Sequence, residues 1–268
     1  MLKLASRLTV PVTAPLTVPV NGLSSLIKGG WSPLALGSKL LAWWDASSGI
    51  TLSGNQVTAW ADRKNGYSAT QSVSSARPVW SANSFGGNPG LTFDGNDDEL
   101  TCTASGLLSI LPSASSPSEL WGVVQQDAPA ADASVRHLGG YGGASSTDRR
   151  ILTRAQSPGP ISTGGLQFGD GTTNRAVGMP NNTPLQSRHL MRGTFLSTGG
   201  TYSQDGATGN TFSAAPATVS SRLRIGGSTQ AAANLFWQGK VRDYLVTLPL
   251  SVDEAAKLTA FLLARRAL

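Results

Sequence analysis

Carboxylate side chains are the first candidates for chemistry, because a retaining glycosidase needs two carboxyl groups about 5–5.5 Å apart. The 268 residues include three glutamates, Glu99, Glu119 and Glu254. No Glu-x-Asp-x-Glu spacing occurs that would place two of them on one face of a strand. Glu254 follows Ser251 by three residues, which is the capping-box pattern of a helix start. The sequence therefore predicts no paired carboxylates for glycoside hydrolysis.

An acidic group at Asp94, Asp97, Asp98 and Glu99 offers oxygen ligands of the kind that Ca²⁺ prefers. The alternative is a turn, since Asp-Gly followed by Asn favours side chains that accept backbone N–H bonds. Neighbouring Asp97 and Asp98 would point to opposite faces of a strand, which hinders a shared ion. We favour the turn and predict no metal site.

Nucleophilic catalysis would require a base, and the chain has only two histidines, His137 and His189. His189 alternates with Met191 and Phe195, which indicates a packed or edge histidine. Cys102 lies between threonines without an activating cation, so we expect it to be buried. No helix pattern follows the glycines of residues 139–143, so no nucleotide-binding loop is indicated. We predict no catalytic residue, no cofactor and no enzyme.

Seven tryptophans, at positions 31, 43, 44, 60, 80, 121 and 237, supply large aromatic faces. Trp44, Trp60 and Trp121 fall within predicted strands, where core packing is the expected role. The other candidates lie beside turns, where an aromatic face can bind a sugar; these candidate ligand-binding residues are Trp31, Trp80 and Trp237.

The composition favours many short strands joined by tight turns, with 31 glycines, 15 prolines and only 13% charged residues. The formal net charge is +6, but the seven arginines between positions 136 and 192 are dispersed and have few aromatic neighbours. Nucleic-acid binding normally clusters basic and stacking residues, so we predict no nucleic-acid partner. No apolar run of about 18 residues occurs, so no membrane span is predicted.

Residues 1–36 differ from the rest because they carry three basic residues, no acidic residue and many prolines and β-branched side chains. Prolines at 11, 15 and 19 interrupt the apolar helix that a signal peptide needs. We expect an extended N-terminal arm whose apolar side chains dock on another subunit with an acidic surface. Residues 37–268 form the predicted main domain.

From Lys39 onward, short apolar or alternating runs recur between turn residues, as in a β-sandwich. Leu223 and Ile225 alternate with Arg222 and Arg224, which predicts two buried and two solvated side chains. Asp205-Gly206 predicts a tight hairpin. A final helix after Ser251 is expected at the edge of two antiparallel sheets. The other predicted strands are 40–45, 57–62, 91–94, 120–125, 135–138, 150–154, 189–195, 201–204 and 241–248.

Five segments carry a resemblance to a known family. They read LAWWDAS (41–47), VTAWAD (57–62), LTFDGNDDEL (91–100), LRIGG (223–227) and FWQGKV (236–241), followed by Leu250-Ser251 and the last helix. In this order they resemble the laminin-G-like branch of the concanavalin A-like lectin/glucanase superfamily, found in many bacterial and bacteriophage surface proteins. The resemblance spans residues 39–268, but residues 128–187 contribute nothing to it.

The resemblance implies an all-β, concanavalin A-like jelly-roll β-sandwich of two antiparallel sheets. On this basis we expect a non-enzymatic bacteriophage virion surface protein, either a capsid decoration or a tail or baseplate component. It would be present in many copies or as a homo-oligomer and would dock to other virion subunits through residues 1–36. Its lectin-like domain would bind host-surface glycans or stabilise the particle. The alternative is a secreted bacterial carbohydrate-binding module.

Overall fold

The computed structural model describes residues 30–113, 115–127, 135–143, 145, 148–156, 161–169, 171, 174–178, 183–184, 187–216, 221–229 and 235–267. Residues 1–29 of the predicted arm lie outside the described residues, so its extended form and its docking remain predictions. The last residues of the predicted arm are described and enter a 3₁₀ segment, Pro33–Lys39, that is kinked at Gly37. Leu36 is buried against the domain's own core, so the expected extended form is wrong for residues 33–36.

Eighteen strands are present within the described residues. They are β1 (Leu40–Asp45), β2 (Ile50–Ser53), β3 (Gln56–Ala61), β4 (Ser68–Thr70), β5 (Val79–Phe85), β6 (Asn88–Asp94), β7 (Leu100–Cys102), β8 (Ser118–Gln126), β9 (Val135–Gly142), β10 (Arg149–Gln156), β11 (Ile161–Gly169), β12 (Asn174–Gly178), β13 (Thr183–Pro184), β14 (Arg188–Leu196), β15 (Gly199–Gln204), β16 (Ala207–Phe212), β17 (Arg222–Ile225) and β18 (Gln238–Thr247). The α-helices are α1 (Ser105–Leu108) and α2 (Val252–Ala267), and a second 3₁₀ turn covers Ser74–Ala76. No described helix has the length and apolar character that crossing a membrane would require.

The strands form two packed layers with antiparallel ladders. In the first layer β16, β15, β14, β8 and β18 are neighbours, and the free edge of β18 pairs with β6 and then β1, while β5 pairs with β6. In the second layer β2, β3, β4, β7, β17, β9, β10 and β11 are neighbours, and β12 and β13 pair with β11. Among the described strands, the layers are joined by the pairing of Gln56 with Val79. Strands β10 and β11 pack against β14 and β15 across the interior, so the predicted β-sandwich is confirmed.

The interior between the layers is filled by alternating side chains. Trp44 and Trp60 are fully buried there, together with Leu223 and Ile225. Burial of such large apolar surfaces is the main force that holds two sheets together. The predictions of core positions for these residues are confirmed.

A second apolar cluster lies on the outer face of the first layer. Trp43 and Trp121 of this face belong to one cluster with Leu258 and Leu262 of α2, and the ring centroid of Trp43 lies 5.9 Å from that of Phe261. The expectation of a helix at the sandwich edge is therefore wrong, because bulky outward-facing side chains of the first layer need a cover and the apolar stripe of α2 provides it. The capping box that starts this helix is confirmed: the Ser251 backbone N–H donates to the Glu254 carboxylate at 2.8 Å.

Two turn-level predictions have different outcomes. Asp205 and Gly206 take φ of 55° and 86° and connect β15 to β16, as expected for a tight hairpin. Arg224 was expected in solvent, but its side chain is only 16% exposed and lies 2.9 Å from Glu99. Strand alternation predicts the direction of Arg224 but not its partners, because Glu99 and the Ser228 carbonyl accept hydrogen bonds from it.

Candidate functional site

The three tryptophans predicted from their turn positions occupy different environments. Trp237 is fully buried among the core side chains. Its place beside a turn was a misleading signal: the backbone turns there, with the Trp237 N–H donating to the Gly226 carbonyl at 2.8 Å, while the ring fills the interior. Trp31 is half-buried and packs edge-on against Phe261 of α2, with ring centroids 5.8 Å apart. Trp80 is half-buried and lines a surface pocket.

Strand β5 fixes Trp80 at the boundary between core and solvent. The residue pairs with Leu91 of β6, and its backbone N–H donates to the Asn55 carbonyl at 2.9 Å. Its indole Nε1–H donates to the carbonyl of Ala46, also at 2.9 Å. With the only polar atom of the ring satisfied, one part of the indole packs on the core and another part lines the pocket. The aromatic surface is thus held in one orientation.

The pocket holds about 230 Å³, and its wall opposite the indole is the turn between β1 and β2. The residues that line it are Ala46, Ser47, Ser48, Gly49, Ile50, Leu52 and Trp80. Two serine residues and a small number of apolar side chains therefore line the pocket beside the indole. Sequence reasoning missed this turn, although the segment Asp-Ala-Ser-Ser-Gly at 45–49 is rich in turn-forming residues.

The turn has a fixed shape because Asp45 and Gly49 hold it at both ends. The Asp45 carboxylate accepts hydrogen bonds from the backbone N–H of Ser47 at 2.9 Å and from its hydroxyl at 2.7 Å. Gly49 has φ of +74°, and a Cβ there would lie 2.4 Å from the carbonyl oxygen of Ala61. Only glycine fits this position without moving the backbone.

Asp45 is itself anchored by two arginines. It is fully buried and lies 2.7 Å from Arg63 and 2.5 Å from Arg265 of α2. Burial raises the pKa of Asp45, but the charge of Arg265 and the hydrogen bonds from Ser47 and Arg63 outweigh burial and leave the pKa below its usual value. The carboxylate therefore stays ionised and keeps the pocket wall attached to the domain.

The acidic residues after β6 form a turn, as predicted, but one argument for that prediction was wrong. The Asp94 carboxylate accepts the Asn96 backbone N–H at 2.8 Å, and Asp98 accepts that of Asp94 at 2.9 Å. Because residues 95–99 are not in a strand, Asp97 and Asp98 do not point apart: one oxygen each from Asp94, Asp97 and Asp98 lies within 4.8 Å of the others. Burial, then the charges of Asp94 and Asp97, raise the pKa of Asp98 to about 6.

The three glutamates all have cationic partners. Glu99 lies 2.9 Å from Arg224, Glu119 lies 2.8 Å from Arg192, and Glu254 lies 2.6 Å from Lys39. These pairs connect elements that are distant in the sequence. Glu254 has the structural role that its capping-box position predicted.

The histidines and the cysteine lie in the interior. His189 is buried as expected, with its Nδ1 2.7 Å from Asp205. Burial and the charge of Arg149 lower the pKa of His137 to about 3, so this imidazole is neutral at physiological pH. Cys102 is buried as predicted, and burial raises the pKa of its thiol.

Comparison with known proteins shows that this chain resembles several solved structures in fold. No protein-family model matches the chain, and no curated protein sequence matches it. Among solved structures, Trypanosoma rangeli sialidase in complex with sialic acid is 15% identical, with a TM-score of 0.56 over 83% of this chain. The receptor-binding domain of botulinum neurotoxin mosaic serotype C/D is 10% identical, with a TM-score of 0.55 over 83% of this chain and 50% of that one.

A third likeness is to the CBM40 of Ruminococcus gnavus IT-sialidase bound to α2,3-sialyllactose, at 13% identity and a TM-score of 0.50. It covers 64% of this chain and 95% of that one. By contrast, this chain spans about a third of the length of the Trypanosoma sialidase. The likenesses show a lectin-like β-sandwich.

Proposed function

We propose that this chain is a non-enzymatic carbohydrate-binding β-sandwich and that the Trp80 pocket is its glycan site. The observation that carries the proposal is the fixed, half-buried indole of Trp80 in a pocket of about 230 Å³ beside the hydroxyl-bearing turn of Ser47 and Ser48. A sugar ring has one apolar C–H face and an edge of hydroxyl groups. The indole complements the face, and the Ser47 hydroxyl, whose proton is donated to Asp45, can accept a hydrogen bond from the edge.

The geometry matches the general pattern of small-ligand sites, in which apolar walls carry a few fixed polar groups. Since the turn is held by Asp45 and Gly49, it loses little conformational entropy when a ligand binds. The pocket takes one ring rather than a long chain, so a single contact is weak. Many copies on one surface raise avidity by about 10²–10⁴, and useful adhesion would depend on that effect.

The solved structures support the proposal at the level of fold, because sialic acid and sialyllactose are bound in two of them. A fold does not by itself imply a function, so the argument depends on the residues around Trp80. The absence of an enzymatic role remains part of the proposal. Its sequence basis is that none of the three glutamates shares a strand face with another, and in the structure each of them has a cationic partner.

We further propose that the domain is displayed in many copies on a bacteriophage particle, with the part of the N-terminal arm that precedes Gly30 docked on neighbouring virion subunits. This rests on the five sequence segments and the composition of the arm. The alternative, a secreted bacterial carbohydrate-binding module, uses the same pocket. Mass spectrometry of purified particles and of culture supernatant separates the two: the chain in particles supports display, and the chain only in supernatant overturns it.

The glycan site is tested on an array of surface glycans with the protein presented multivalently. Leu52 lines the pocket and is 39% exposed, so Leu52→Glu places a negative charge there. Leu196→Glu is the matched control, because Leu196 is 40% exposed and does not line the pocket. We expect Leu52→Glu to abolish binding and Leu196→Glu to retain it. EDTA should leave binding unchanged, because the described residues that line the pocket include no carboxylate. Equal binding by both variants, loss of binding in EDTA, or no binding by the unmodified protein would reject the proposal.

A further inference from the structure

A larger groove of about 460 Å³ lies on the outer face of the second layer and shares no lining residue with the Trp80 pocket. Strands β3, β4 and β7 form its floor, and the segment after β4 forms its wall. Threonine and serine hydroxyls and one amide line it; these residues are Thr58, Thr70, Gln71, Ser72 and Thr101. In register, Thr70 lies beside Thr101 and Thr101 beside Arg224, so the three side chains form a polar row across the sheet.

The groove also contains a guanidinium group in a fixed position. Arg77 lines the groove, and its Nε and Nη2 donate to the carbonyls of Gln71 and Ser72 at 3.0 and 2.6 Å. Two of the three guanidinium nitrogens are thereby used to hold the side chain, and within the described residues Nη1 has no hydrogen bond. A planar guanidinium restrained in this way is suited to an oxyanion.

The local charge is positive. Glu99 lines the groove, but its carboxylate lies 2.9 Å from Arg224, which also donates to the Ser228 carbonyl at 2.9 Å. Arg222 is on the same face of β17, near enough for its charge to act on Glu99. Three arginines therefore accompany one glutamate among the described residues in and beside the groove. The one carboxylate is already paired, so the field favours an anionic ligand.

The lining also defines the neutral part of the ligand. No aromatic or aliphatic side chain is among the described residues that line the groove. Such a surface cannot bind by apolar burial, and hydroxyl and amide groups recognise a ligand rich in hydroxyl groups. The volume lies within the range of small-molecule sites, about 300–1,000 Å³.

We infer that this groove is a second binding site, which takes an anionic oligosaccharide whose carboxylate or sulfate group pairs with Arg77 while its hydroxyl groups contact the Thr70–Thr101 row. The inference shares the ligand class of the proposed function but does not depend on the Trp80 pocket. The two sites lie at different places on the β2–β3 hairpin, which contributes Leu52 to one and Thr58 to the other. One domain would thus bind a neutral sugar ring in the Trp80 pocket and an acidic sugar in the groove.

The test is isothermal titration of the full chain with three probes: an oligogalacturonate, a heparin hexasaccharide and neutral maltohexaose. We expect saturable binding of at least one anionic probe, weakening with added salt. Any binding of maltohexaose belongs to the Trp80 pocket and should be unchanged in Arg77→Gln. The two anionic arms identify whether carboxylate or sulfate is preferred. Arg77→Gln should weaken binding by about tenfold, as for the loss of one charge-assisted hydrogen bond. Thr70→Glu, at an exposed position, should weaken it further without touching the contacts that hold the loop.

Lys257→Gln is the matched control, because it removes one positive charge from an exposed position on α2, which covers the other layer. It should bind within about twofold of the unmodified protein, since distant exposed charges are screened. Equal weakening by Lys257→Gln and Arg77→Gln would reduce the effect to overall charge and overturn the inference, as would no binding of either anionic probe. Leu52→Glu should leave this binding intact, so failure of the Trp80 pocket and failure of the groove are distinguishable.

Discussion

Replacing Arg265 with glutamine removes the cation that lies between two buried carboxylates. Arg265, in the last turn of α2, lies 2.5 Å from Asp45 and 2.8 Å from Asp243, and neither aspartate side chain has any exposed surface. After the change Asp45 keeps Arg63 and Ser47, whereas among the described residues the one side-chain donor left to Asp243 is the indole N–H of Trp43, 3.0 Å away.

The expected cost is set by this uncompensated charge. Removing one partner of a buried ion pair costs about 3–5 kcal/mol, a large part of the roughly 5–15 kcal/mol that stabilises a typical domain. Arg266→Gln is the matched control in the same helical turn. Its partner Asp205 is 28% exposed and retains His189 at 2.7 Å, so the control should cost at most about 1 kcal/mol.

The pH dependence gives a second readout with a definite sign. Burial raises the pKa of Asp243 above its usual value, and the charge of Arg265 opposes this. Without Arg265, the pKa of Asp243 rises further, and the pKa of Asp45 loses the charge that does most to lower it. A carboxyl group whose pKa is higher in the folded state destabilises the fold at neutral pH, and this effect is lost as the pH falls through that pKa. The difference between Arg265→Gln and the unmodified protein should therefore shrink as the pH is lowered from about 7.5 to about 5.

Urea unfolding followed by tryptophan fluorescence at both pH values measures the free energy of unfolding of the three proteins. The reasoning is refuted if Arg265→Gln costs no more than Arg266→Gln, or if its deficit grows as the pH falls.

Three further changes test other parts of the structure. Asp98→Asn should raise the free energy of unfolding at about pH 7.5 by up to about 3 kcal/mol, since the pKa of Asp98 is raised to about 6. The gain should vanish towards about pH 4. A lower free energy of unfolding at about pH 7.5, measured in urea, would contradict this. Gly49→Ala should lower the free energy of unfolding by about 2 kcal/mol or more, because its Cβ would clash with the Ala61 carbonyl. Gly54→Ala, where nothing lies within 4 Å, should lower it less. Equal shifts in the thermal unfolding midpoint would count against the clash. Ser251→Ala should cost about 1 kcal/mol in thermal unfolding by removing the helix cap, and an unchanged midpoint would show that the Ser251 hydroxyl contributes nothing.

Strand positions could be predicted from the sequence because alternation and turn residues are local signals. Leu40–Asp45 and Arg222–Ile225 coincide with observed strands, and Asp205-Gly206 forms the expected hairpin. The place of α2 could not be predicted in this way. A helical stripe shows that a helix has an apolar side, but the choice between a sheet face and an edge depends on which strand side chains remain uncovered after the layers pack.

The candidate site shows the same limit. Trp80 and Trp237 both lie beside turns and have the same local signal, yet one lines a pocket and the other is fully buried. The difference arises from partners far along the chain: Ala46 accepts the Trp80 indole N–H, while Trp237 joins the core through the turn at Gly226. Only tertiary structure separates these two cases.

Asp45 connects the glycan pocket to the rest of the fold. In the LAWWDAS segment the adjacent tryptophans point to opposite faces of β1, with Trp44 in the interior and Trp43 under α2. The aspartate that follows accepts hydrogen bonds from Ser47 in the pocket wall and from Arg265 of the helix. One carboxylate thus ties the turn that faces Trp80 to the C-terminal helix on the outer face of the first layer. A site shaped by a short surface turn can keep a fixed geometry when the turn is anchored in this way. A sugar that makes few contacts requires such a geometry, because little conformational entropy of the protein is then lost on binding.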